Sequence, residues 1–189
     1  MSLEFRIAKT EEERKKCFRV RYEVYAEVGY INPKDYQNKL LIDEYDKYST
    51  IFMGVKDEEV VGTLRATEDS ELGFQMEKIF KEEVVKLRKN CKKIIETSRI
   101  MALSTQRYKI ALGLINLAYL FAKQQEITDY CFTTPPTIAK TWEKIGMFPF
   151  GEIKFYPLVN QPAVPIHWKV ENTLEPYKTL FEKAENVSL

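Results

Sequence analysis

Residues 4–8, EFRIA, alternate apolar and polar side chains at the two-residue period of a strand. Thr10 then opens a helix, and Glu13, three residues on, closes a capping box. At the helical period, Cys17, Phe18, Val20, Tyr22, Val24 and Tyr25 form an apolar stripe that ends near Ala26 or Val28. The run GYINPKDYQNKLLIDEYDKYS has weak periodicity and is a long polar-aromatic loop, a length that usually serves function. TIFMGVKDEEVVGTLRATED is a hairpin about the turn KDEE, with Arg65 at the end of its second strand. FQMEKIFKEEVVKLRKN predicts one or two short helices, and IIETSRIMAL predicts a strand. TQRYKIALGLINLAYLFAKQQE is apolar around most of its circumference, which predicts a buried helix. ITDYCFTTP is a strand, and PTIAKTWEKIGM is a helix begun by proline and closed by Gly146. FPFGEIKFYPL and PAVPIHWKV form a last strand pair, and LEPYKTLFEKAE a closing helix. Strands and helices interleave without a repeat or a low-complexity linker. The expectation is one mixed α/β (α+β) domain over residues 1–189, with a core of about 4–170 and a terminal helix of about 173–186.

Several ionisable residues break this pattern. Arg21 lies in the apolar stripe of the first helix, and Arg65 and Arg99 lie in strands bound for a core. Glu96 shares the strand of Arg99, and Asp43 and Asp46 stand at a strand entrance. Buried apart, such groups are costly; together they are tolerable, and a guanidinium meets a carboxylate in a fork. A cluster is expected where the first helix, the long loop and two strands converge. Glu96 and Arg99, three residues apart, would point to opposite faces of a regular strand. A β-bulge between them would restore a common face and free a backbone N–H for a developing oxyanion. The alternative is a plain strand with the two on opposite faces.

Composition narrows the class. Of 189 residues, 44% are hydrophobic and 30% charged, as in a globular protein, and no stretch has the apolar length of a membrane span. MSLEFRIAKT lacks the basic start and apolar run of a signal peptide. A net charge of +1 gives no reason to expect nucleic acid. The local exception is KLRKNCKK, where Lys86, Arg88, Lys89, Lys92 and Lys93 form either a solvated helix end or a landing patch for an acidic partner. Cys17, Cys91 and Cys131 have neither metal nor redox spacing, so no metal is expected and a reducing, cytoplasmic setting fits. The single histidine, His167, lies between apolar neighbours in AVPIHWKV and reads as a packing residue.

The element order resembles the GNAT acyltransferase fold. More narrowly, the chain resembles the branch holding the acyl-homoserine-lactone (autoinducer) synthases and the N-acyl amino acid synthases. The resemblance rests on an ordered set: R-x-x-V-[FY] at Arg21–Tyr25, Gly29-Tyr30, D-x-x-D at Asp43 and Asp46, Arg65 in VGTLR, and E-x-S-R at Glu96, Ser98 and Arg99. Leu41 stands where the lactone synthases place a glutamate, and Tyr30 where they favour tryptophan. Both differences, with the ending FYPLVNQPAVPI, favour the N-acyl amino acid synthases. The start of the long helix, QRYKIALG, lacks the early glycines that wrap a CoA pyrophosphate in GNAT acetyltransferases.

The resemblance implies attack by a neutral amine on an acyl thioester. Glu96 is the first choice for proton acceptor, directly or through water, with Arg99, Asp43 and Asp46 completing the catalytic set. Arg21, Tyr25, Tyr30, Arg65, Ser98 and Met101 are expected to bind substrate. Gln106, Arg107 and Lys109 are expected at the phosphate of a phosphopantetheine arm. The donor implied is a fatty acyl group on an acyl carrier protein, with acyl-CoA second, and the carrier would dock on the basic run 86–93. The acceptor implied is a small-molecule amine, first an amino acid. A lactone synthase acting on S-adenosylmethionine and a CoA-dependent N-acetyltransferase remain open. Met101, Leu103, Leu114, Ile115, Phe132, Trp142 and Met147 could wall an acyl channel or form ordinary core. Direct transfer is expected over a covalent intermediate on Cys131.

Overall fold

The computed structural model describes residues 3–103 and 105–189. The chain forms two compact units: residues 1–66, 99–118 and 184–189 in the first, and residues 67–98 and 119–183 in the second.

In the first unit, β1 (Leu3–Ile7) runs antiparallel to β2 (Ser49–Lys56), with Phe5 opposite Gly54. A short parallel strand, β9 (Val187–Ser188), pairs with β1; the sequence pattern does not reveal it. The hairpin to β3 (Glu59–Glu68) turns on Asp57 and Glu58, both left-handed with φ of 52° and 67°. Two such residues give a turn whose twist matches the strands it joins. β3 runs three residues beyond Arg65, so this arginine is inside the strand rather than at its end.

The first helix, α1 (Glu11–Glu27), begins with the expected reciprocal cap: Glu13 N–H donates to Thr10 Oγ1, and Thr10 N–H to Glu13 Oε2. Burial raises the Glu13 pKa, but hydrogen bonds from Arg6 and the Lys9 and Thr10 amides outweigh it and lower it to about 2. Cys17, Phe18 and Val20 of α1 pack on Ile51 and Met53 of β2. The other face of β2 presents Gly54 toward Phe5 and Ile110, the latter from the first turns of α3 (Arg107–Gln125). Gly113 of α3 is obligatory there, since a Cβ would lie 2.0 Å from the Phe5 ring.

The second unit is built on β8 (Gln161–Lys169). It pairs antiparallel with β5 (Asp129–Thr134) on one side and with the short strands β6 (Met147–Pro149) and β7 (Lys154–Tyr156). The expected last strand pair is thus three strands. β4 (Ile94–Ala102) runs parallel to β5 through three residues, Ile94–Glu96. The second helix, α2 (Glu77–Arg88), is kinked at Phe80, whose φ of −112° and ψ of 37° are not helical; this accounts for a sequence that reads as one helix or two. Phe80 and Val84 of α2 cover Ile94, Cys131 and Ala163. Elsewhere in β5 and β8, Trp168 stacks on Tyr130 at 5.3 Å and on Tyr119 at 6.3 Å. The helices α4 (Pro136–Glu143) and α5 (Tyr177–Glu182) complete the unit. Gly146 follows α4 with φ +103°, where a Cβ would meet the Asn172 carbonyl at 2.5 Å.

Candidate active site

The sequence places Arg21 on a buried helical stripe, and the structure resolves that conflict with an ion-pair knot inside the first unit. Arg21 is fully buried and donates through Nη1 to Asp46 Oδ1 at 2.6 Å. Arg65, also fully buried, donates through Nη1 to Asp43 Oδ1 and, at 3.3 Å, to Asp46 Oδ1. Arg99 Nη2 donates to Asp43 Oδ2 at 2.7 Å. The two aspartates are fixed by their own backbone. Asp43 caps the 3-10 helix Glu44–Tyr48, and its N–H donates to Asp46 Oδ2 at 2.9 Å. D-x-x-D spacing is what such a reciprocal cap requires, since the cap and the third helical residue face each other. Each carboxylate thereby keeps an oxygen for guanidinium.

The electrostatics follow from this packing. Burial raises the Asp43 pKa, but Arg65 and Arg99 outweigh it and hold the carboxyl below its usual range. Burial lowers the Arg21 pKa; Asp46 opposes this, Arg65 and Arg99 add to it, and the net shift is downward. For Arg99, burial acts against the cation, while Tyr25 and Asp43 more than offset it and raise the pKa. Arg99 Cζ lies 5.0 Å from the centre of the Tyr25 ring, and Tyr25 meets Tyr30 edge-on at 5.3 Å. The expected substrate-binding tyrosines therefore line up behind Arg99. Three donors in the knot, Arg21 Nε, Arg21 Nη2 and Arg99 Nε, are buried without a hydrogen-bond partner among the described residues. A buried guanidinium N–H without an acceptor is costly.

Arg99 has φ +55° in the middle of β4. A left-handed non-glycine residue inside a strand interrupts the regular alternation of β4 at Arg99 itself. The boundary between the two units falls at the same place, between Ser98 and Arg99. Before it, Glu96 is buried, and its two oxygens accept from the backbone: Gln75 N–H to Oε2 at 2.7 Å and Met76 N–H to Oε1 at 3.0 Å. Both amides lie just ahead of α2, where free helical N–H groups favour a negative charge. Nothing in the spacing of the sequence announces this cradle. Ser98 is half-buried and Met101 buried, in β4 on either side of Arg99.

The remaining expected site residues are on the surface. Gln106, Arg107 and Lys109 are exposed at the start of α3, and Arg107 pairs with Glu27 at 3.3 Å, both well over half exposed. In the basic run, Lys86, Lys89, Lys92 and Lys93 are exposed. Arg88 is turned inward instead, with Nε donating to Asp69 Oδ2 at 2.6 Å and Nη2 to Glu77 Oε1, and it is committed to structure. Lys93 Nζ reaches the Gln125 carbonyl at 2.7 Å. Cys131 is fully buried, and burial pushes its thiol pKa well above the ordinary value, which leaves it unsuited as a nucleophile.

One grouping escapes the sequence pattern altogether. Cys91, Asp129 and His167 lie at intervals that match no metal or catalytic motif, yet one ligand atom of each falls within 4.8 Å of the others. The register explains the meeting. Asp129 pairs with Lys169 across β5 and β8, so His167, two residues back, is its diagonal neighbour on the same face.

The family model of the N-acyl amino acid synthase FeeM matches residues 16–169, a span that includes every member of the arginine–aspartate knot. No curated protein sequence matched the chain. Among solved structures, FeeM itself, an N-acyl amino acid synthase from uncultured soil microbes, is 20% identical with a TM-score of 0.77, over 97% of this chain and 99% of that one. The CoA-dependent acyl-homoserine lactone synthase BjaI is 15% identical, with a TM-score of 0.76, over 99% of this chain and 93% of that one. A putative N-acetyltransferase from Lactobacillus plantarum is 13% identical, with a TM-score of 0.64, over 90% and 99%. These likenesses give the fold, a mixed sheet flanked by helices of the GNAT type. The chain belongs to the family of the N-acyl amino acid synthase FeeM, and it is an enzyme that transfers an acyl group from a thioester to an amine.

Proposed function

We propose that this enzyme moves a fatty acyl group from an acyl carrier protein to the amine of an amino acid, within one domain working in the cytoplasm. The family match over residues 16–169 carries the reading. The knot supports the choice of acceptor: an amino acid brings a carboxylate, and Arg21 and Arg99 hold buried N–H groups with no acceptor of their own among the described residues. In this reading the ammonium form of the acceptor is attracted by Asp43 and Asp46. Glu96 takes the amine proton, directly or through water, while the nitrogen attacks the thioester carbon and the thiol leaves. The cradle of two amides favours the Glu96 carboxylate, the form a base needs. Tyr25, Tyr30, Arg65, Ser98 and Met101 line the acceptor and the acyl carbonyl.

The carrier protein is favoured over CoA by the lack of early glycines in α3 and by the exposed Lys86, Lys89, Lys92 and Lys93. Arg107 and Lys109 would meet the single phosphate of the pantetheine arm. The second reading, a lactone synthase using S-adenosylmethionine, is favoured by the likeness to BjaI.

Mass spectrometry of lipid extracts from overexpressing cells separates the two. A linear N-acyl amino acid is the expected product; an acyl lactone, or no new acyl species, sinks the proposal. With purified protein, Glu96→Gln is expected to lose turnover while remaining folded, and full activity in that variant removes Glu96 as the base. Lys86→Glu with Lys89→Glu should weaken turnover of acyl carrier protein substrates and spare acyl-CoA. Equal loss on both donors argues against a carrier docking site.

A further inference from the structure

We propose that Cys91, Asp129 and His167 form a zinc-type metal site, independent of the acyl-transfer reading. The three come from separate elements of the second unit: the loop ahead of β4, the first residue of β5, and β8. His167 Nε2 and Asp129 Oδ1 are 2.7 Å apart, and the Cys91 sulfur lies beside them. All three ligand atoms lie within 4.8 Å of one another.

The donor set identifies the class of ion. One sulfur and one imidazole nitrogen suit zinc and its neighbours, whereas magnesium and calcium require oxygen alone. Tetrahedral zinc has bonds of roughly 2.0–2.3 Å, so its ligand atoms stand about 3.3–3.8 Å apart. The trio lies near that range: the 2.7 Å pair must open slightly, and no pair is wider than 4.8 Å. Three protein ligands leave a fourth position for water. Access is adequate, since the His167 side chain is 25% exposed and Cys91 is only partly buried, while Asp129 is buried beneath them.

Supporting groups are also in place. The Thr128 hydroxyl, next to Asp129, donates to the Lys93 carbonyl at 3.1 Å and ties the start of β5 to the loop of Cys91, and the edge of Phe150 meets His167 at 6.2 Å, which restricts the ring plane. The nearby cation, Lys169, is itself paired to Glu171 at 2.6 Å. On binding, the Zn–S bond replaces the Cys91 S–H bond and the proton leaves to water. His167 ligates as the neutral ring through Nε2, and Asp129 through its carboxylate. The ion would tie the loop at residue 91 to β5 and β8, at the margin of the core that α2 covers.

The test uses the full chain, stripped with chelator and titrated with Co²⁺ and then Zn²⁺. Expected are one equivalent of Co²⁺ bound, a thiolate-to-cobalt charge-transfer band, and ligand-field bands of a four-coordinate ion, all displaced by Zn²⁺. Zn²⁺ at a hundredfold excess over its Kd should raise the melting temperature by roughly 5–10 °C. Cys91→Ser should lose the charge-transfer band, and His167→Gln should weaken Co²⁺ binding at least tenfold, with unchanged folds in chelator. The wild-type titration alone can refute the site: no thiolate band, or far less than one equivalent, overturns it. A band that survives in Cys91→Ser does the same, because the metal then sits elsewhere.

Discussion

The first unit pairs its carboxylates with guanidinium, and the second pairs Glu96 with backbone amides. Asp43 and Asp46 rely on Arg21, Arg65 and Arg99, whose side chains come from a helix and two strands. Glu96 relies on the Gln75 and Met76 amides, neighbours in the chain. A knot of side chains fails whenever one member is removed, because it strands a charge away from water. A backbone cradle is indifferent to the side chains of its donors; short of a proline at Gln75 or Met76, only changing Glu96 disturbs it. The knot therefore depends on every one of its side chains, while the cradle fixes one carboxylate as a feature of the backbone.

The comparison is tested most severely at Asp46, which serves Arg21, Arg65 and the Asp43 amide. Asp46→Ala should destabilise by about 3–5 kcal/mol in urea denaturation, as expected when a buried pair is broken. A loss below about 1 kcal/mol would show the knot open to water. Glu96→Gln puts an amide NH₂ against one of two backbone donors and should cost about 1.5–3 kcal/mol.

Arg99 separates strain from pairing. Both Arg99→Ala and Arg99→Gly remove the ion pair, but only glycine adopts φ +55° freely. Arg99→Gly should be more stable than Arg99→Ala by about 1–2 kcal/mol. Equal stabilities would mean that the left-handed backbone relaxes in both variants.

Acid titration distinguishes Asp43 within the knot. Its folded pKa lies below its unfolded value. The stability it contributes is complete above the ordinary aspartate range and is lost as pH falls through the lowered folded value. Melting curves of Asp43→Asn should therefore lack part of the acid-side fall seen in the wild type; superimposable fall-offs would contradict this. The smallest effect belongs to the exposed pair. Arg107→Ala should cost only about 0.2–1 kcal/mol, a value that salt should shrink further.

Local signals in the chain are enough for much of this architecture. Thr10 and Glu13 announce the start of α1, because a cap is a local hydrogen-bond pattern. Asp57 and Glu58 close the expected hairpin, and Gly146 lies in the turn that follows α4. The arginines on apolar faces announce a buried ionic cluster, since desolvation demands a partner wherever the chain goes. Other features stay hidden. β9 is two residues long and exists only because β1 offers an open edge. The amides that hold Glu96 have no side-chain signature. Arg88 reads as surface charge because its partners, Asp69 and Glu77, are fixed only by the fold.

The sequence by itself determined which residues could not remain alone: Arg21, Arg65, Arg99, Asp43, Asp46 and Glu96. It also determined the periods that made helices and strands, because both burial cost and backbone geometry are local properties. Tertiary structure decided the partners. Asp43, in a loop, meets Arg99 of β4 across 56 residues, and Asp129 meets His167 across 38 through the β5–β8 register, pairings that no spacing rule encodes. Register is set by packing of whole faces, so the assignment of each charge to its neighbour waits on the complete fold.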